Sequence, residues 1–126
     1  MKTYAIFLRG VTPAGKNRVP MADLRAALLR AGLHDVRTYI QSGNVVARSE
    51  LGPAAIVSLV RAVIAKEIGA DLAVVARTHP QIKRILDANP FPPDAAARTY
   101  YTLFAAAPAA PRVEDLLALD FSPDRV

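Results

Sequence analysis

With 126 residues the chain has room for one hydrophobic core, and 52% hydrophobic against 21% charged residues mark it as globular rather than disordered. It contains no cysteine, which excludes disulfides, thiolate metal sites and a cysteine nucleophile. Sixteen Lys and Arg against eleven Asp and Glu leave a formal charge of +5, compatible with phosphorylated or nucleic-acid partners but not diagnostic of them.

The first element is Tyr4 to Leu8, apolar at both parities, as a central or doubly covered strand would be. The run is too short for a secretory segment or a membrane span, so a cytoplasmic location without membrane contact is expected. After a polar loop, Pro20 suits the start of a helix, where its missing N–H costs nothing. Met21, Leu24, Ala27, Leu28 and Ala31 form the apolar stripe of that helix, and Gly32 ends it. From Asp35 to Ser49 the sequence predicts a hairpin, with Val36, Thr38 and Ile40 alternating against Arg37, Tyr39 and Gln41. Ser42-Gly43-Asn44 makes its turn and Val45-Val46-Ala47 returns. A second helix spans about Pro53 to Ile68, closed by Gly69, and Leu72 to Ala76 is a buried strand.

The order strand, helix, strand, strand, helix, strand over residues 1–77 predicts an α+β, ferredoxin-like (βαββαβ) plait: an antiparallel sheet with both helices on one face. Residues 78–126 read as an incomplete second unit. A Thr78-x-x-Gln81 capping box opens a helix there, Asn89 to Asp94 breaks it, and Arg98 to Ala107 predicts a strand. A short helix follows over Pro111 to Leu119. A lone strand must pair with the first sheet or with another chain to satisfy its backbone. The second unit is therefore expected to be truncated, and the strand near Tyr100 is a candidate homodimer contact.

Gly10, four residues, then Gly15-Lys16-Asn17 comes within one residue of a phosphate-binding P-loop. The physical requirements of that loop fail. Val19-Pro20 delays the helix beyond Lys16, so the helix amides do not begin at the lysine. Asn17 replaces the hydroxyl that ligates magnesium, the sheet is predicted antiparallel, and the strand at Leu72 ends in Arg77 rather than an aspartate. A nucleotide triphosphatase is excluded. The loop still collects amides, cations and an amide side chain, which an anion would use. Its plain alternative is a solvated connection.

Leu8 to Val46 resembles the N-terminal part of a bacterial family known as domain of unknown function 1697. That family reads approximately Leu-Arg-Gly-Ile-Asn-Val-Gly-Gly-Lys-Asn through the loop and Thr-Tyr-Ile-Gln-Ser-Gly-Asn-Val through the hairpin. Thr38 to Val45, Leu8-Arg9-Gly10, Gly15-Lys16-Asn17 and Asn89-Pro90-Phe91 match. Val11-Thr12-Pro13-Ala14 departs: Pro13 stiffens the loop and Ala14 removes a glycine. The resemblance implies an α+β plait and no established activity.

The candidate site joins the two polar strings. If the strands alternate as predicted, the first loop and the hairpin turn share one sheet edge, bringing Lys16, Asn17, Arg18, Ser42 and Asn44 together with Arg9 at its strand end. Such a group suits an anionic ligand, either a phosphorylated metabolite or a nucleic-acid backbone; the plain alternative makes Ser42-Gly43-Asn44 only a turn. A small phosphate-ester or acyl-phosphate hydrolase is a fold-level alternative, and an interaction module using the exposed strand is another. Base stacking by the two central strands is not expected, because Tyr4 and Phe7 face opposite ways and Val45-Val46-Ala47 carries no aromatic. Tyr39, Tyr100 and Tyr101 read as sheet residues. His34 and His79 lack companion ligands, so neither a metal nor a cofactor is expected.

Overall fold

The computed structural model describes the backbone over residues 1–126 and every side chain except those of Ser42, Pro93, Ala96 and Ala97. Strand β1 (Lys2–Arg9) is followed by helix α1 (Met21–Arg30), strands β2 (His34–Tyr39) and β3 (Asn44–Ser49), helix α2 (Pro53–Val63) and strand β4 (Ala73–Thr78). The four strands form one antiparallel sheet in the order β2-β3-β1-β4. This sheet and the helices make a mixed α/β fold, as the alternation of apolar runs and helical stripes predicted. No helix among the described residues is long and apolar enough to cross a membrane.

Side-chain alternation divides the sheet into two unlike faces. Tyr4, Ile6 and Leu8 of β1, Val45 and Ala47 of β3, and Val74 and Ala76 of β4 are buried in one cluster with Leu24 and Leu28 of α1 and Ile56 and Val60 of α2. Tyr4 is completely buried, and its hydroxyl donates to the Leu51 carbonyl at 2.7 Å, so burial leaves no orphan polar group there. The opposite parity, Ala5, Phe7, Val46 and Arg77, points away from this core, and Val46 is exposed.

The capping box forms as its spacing predicted. Thr78 caps helix α3 (His79–Asp87), with the Gln81 amide N–H donating to the Thr78 hydroxyl and the Gln81 side chain accepting from the Thr78 N–H. A last helix, α4, covers Ala110–Leu117. Neither helix has a buried residue, and no described residue beyond Ala76 is buried.

Two expectations are corrected. The segment from Thr99 to Phe104 is not a strand, and Tyr100 and Tyr101 are therefore not sheet residues. Its β-forming composition has no ladder to join: the Thr99 hydroxyl turns back to the Ala95 carbonyl, and Arg77 ties the segment to the sheet by donating to the Phe104 carbonyl. The exposed strand proposed for pairing with another chain is thus absent. In the hairpin, β2 ends at Tyr39, two residues before the alternation does at Gln41. Ile40 opens a 3-10 turn (Ile40–Ser42) at φ 52 and is exposed, not inward-facing.

Candidate functional site

The connection from β1 to α1 folds on itself. Gly10 and Gly15 take φ values of 86 and 84, and the loop closes through the Thr12 N–H donating to the Asn17 carbonyl at 3.0 Å. The Arg18 N–H donates to the Gly15 carbonyl at 3.3 Å, and the Thr12 hydroxyl to the Ala14 carbonyl at 2.7 Å. Val19, fully buried, anchors the far end of the loop in the core. Lys16 and Arg18 consequently stand in solvent on a closed bend, while Asn17 is half-buried with its side-chain nitrogen beside Gly10.

The turn between β2 and β3 reaches the same place. The Leu8 N–H donates to the Gly43 carbonyl at 2.9 Å, and the Gln41 side-chain amide donates to the Val19 carbonyl at 2.5 Å. Gly43 sits so close to the first loop that a Cβ there would lie 2.8 Å from Leu8 Cβ and 2.9 Å from Val11 Cγ2. Its φ of 86 also lies in the left-handed region that glycine tolerates. The two polar bends are therefore joined by backbone, side chain and direct packing.

Arg9 ends β1 and is exposed at this rim; Asn44 begins β3 opposite Phe7 and donates its side-chain amide to the Tyr39 carbonyl at 3.4 Å. The side chain of Ser42, the remaining predicted ligand, lies outside the described residues. Among the described residues no ion pair engages Arg9, Lys16 or Arg18, whereas nearby Asp71 is held by Arg61 at 3.0 Å. Helix α1 also begins here without a side-chain cap, its positive N-terminal end offset by the Asp23 carboxylate in the first turn. The rim is an exposed surface: the groove between α1 and α2 at Arg30 and Lys66, and the one at Lys2, Thr78 and His79, contain none of the predicted anchors. No group of three or more His, Asp or Glu among the described residues is placed to hold a metal ion.

Sequence reasoning missed the positioning roles of Gln41 and Gly43. Both lie in the Thr38 to Val45 string, but a string does not show which carbonyl a side chain reaches. It also missed the exposure of Tyr39, which ends β2 with 73% of its surface open.

A family model described as "Protein of unknown function (DUF1697)" matches residues 1–126. Among solved structures, the chain is similar to a conserved bacterial protein, SP0830 from Streptococcus pneumoniae, with 31% identity and a TM-score of 0.64. The similarity covers 71% of this chain and 49% of that one, so this chain spans about half the length of that protein. None of the curated proteins matches.

Proposed function

The chain belongs to the DUF1697 family, whose description names no activity, and on that premise we propose from its own geometry that it binds an anionic ligand at the joined rim. The observation that carries this reading is the tie between the bends. Gln41 and Gly43 hold the β2–β3 turn against the β1–α1 loop, while three cations at that edge have no carboxylate partner among the described residues. Lys16 and Arg18 are the charge anchors, Arg9 flanks them, and Asn17, Ser42 and Asn44 are the polar partners. A phosphoryl group suits this set, because the planar forks of Arg9 and Arg18 match phosphate oxygens bidentately while Lys16 supplies a mobile point charge and the amides add donors.

The architecture is consistent with that placement. The strand order β2-β3-β1-β4, with α1 and α2 packed on one face, supports reading residues 1–77 as a ferredoxin-like plait. The end of burial at Ala76 supports treating residues 78–126 as a unit apart from the first core.

The test is equilibrium binding of inorganic phosphate and of sugar phosphates to the full chain. Replacing Lys16 and Arg18 together by alanine should weaken binding at least about tenfold, because each charge-assisted bond is worth roughly 1.5–3 kcal/mol. Thermal stability should stay nearly unchanged, since both side chains are exposed. Equal affinity in the double variant would refute the reading.

A further inference from the structure

Beside the rim, the face of the sheet turned away from α1 and α2 carries a second set of unused groups. Tyr39 stands opposite Asn44, which stands opposite Phe7; one step along, Arg37 stands opposite Val46, which stands opposite Ala5. Thr38, the intervening residue, faces the helices and accepts from the Arg25 guanidinium of α1, so Arg37 and Tyr39 lie on the open side. Tyr39 has 73% of its surface open and Arg37 is exposed with no ion pair among the described residues. Arg48 on the same face is neutralised by Asp35 at 3.0 Å. Over the other half of the sheet Arg77 is tied to the Phe104 carbonyl, so the open area is the β2–β3 half next to Arg9 and the loop cations.

An exposed ring beside unpaired arginines matches a single nucleic-acid strand: the ring offers a π-face to a base and the cations offer partners to phosphates. We infer that the β2–β3 face binds single-stranded nucleic acid, with a base stacked on Tyr39 and the backbone held by Arg37 and Arg9 as it passes onto the Lys16–Arg18 rim. The phosphate contacts at Lys16 and Arg18 rest on the anion-binding reading; the stacking on Tyr39 does not. The ring comes from the edge strand β2, not from the central pair.

The experiment measures anisotropy of a short labelled oligothymidylate and oligouridylate with the full chain, alongside an inorganic phosphate titration followed by amide shifts. Binding should weaken with salt. Tyr39→Ala should weaken it about fivefold or more, while Tyr39→Phe, which keeps the π-face, should stay near wild type. Neither substitution should alter the phosphate titration. Phosphate shifts at the rim without oligonucleotide binding would overturn this inference and leave the rim reading standing. Oligonucleotide binding unmoved by Tyr39→Ala, or equal affinity for a duplex, would also overturn it. Failure of both probes would remove both readings.

Discussion

Gln41 crosses the rim to Val19: its side-chain amide donates to that carbonyl at 2.5 Å although 22 residues separate the two. Val19 is fully buried at the entry to α1, so this bond locks the exposed turn to the core. Gln41→Ala should destabilise the fold by about 1 kcal/mol in urea unfolding and weaken phosphate binding as the two bends separate. Unchanged affinity despite lost stability would separate the bond from the site.

Gly43 and Gly15 make a matched pair. Both hold φ near 85, but a Cβ at Gly43 meets Leu8 and Val11 under 3.0 Å, whereas nothing lies within 4 Å of one at Gly15. Gly15→Ala should cost only the left-handed penalty, about 1–2 kcal/mol. Gly43→Ala adds overpacking, for a total of about 2–4 kcal/mol. Chemical denaturation of the two variants checks the difference, and equal losses would show that the close approach carries no energy.

The hydroxyl of Tyr4 is the polar contact of an otherwise apolar core position. Tyr4→Phe keeps the ring and removes the 2.7 Å bond to the Leu51 carbonyl, and should lower stability by about 1 kcal/mol. Because Leu51 is 40% exposed, water can replace the lost donor, which keeps the cost at this modest value. Urea unfolding checks it.

Helix α3 has no fully buried residue, only the half-buried apolar side chains of Ile82 and Ile85 against the sheet, so its cap carries a large share of its stability. Thr78→Ala should cost about 1 kcal/mol locally. Hydrogen exchange should accelerate across His79–Asp87, while exchange in β1 and β3 stays unchanged.

Much of this arrangement was legible in the chain. Periodicity placed β1, α1, α2 and β4, and the Thr78–Gln81 spacing gave a cap that forms with both of its bonds. What misled was propensity without a partner. Tyr100 to Phe104 has strand composition, but a strand is made by its neighbour, and here the chain meets the sheet through Arg77 instead. Ile40 continued an alternating pattern into a turn whose start is set by the register of Tyr39 with Asn44. The rim was legible as two polar strings, whereas their fastening was not. It depends on Gly43 lying against Leu8 and on Gln41 reaching Val19, relations that only the folded sheet defines.

The most direct measurement is an amide-shift map of the full chain titrated with inorganic phosphate. Joined bends predict saturable shifts that rise together, with one dissociation constant, at Gly15 to Arg18 and at Gln41 to Asn44. Shifts confined to one bend, or scattered over surface arginines without saturation, would contradict a shared anion-binding rim.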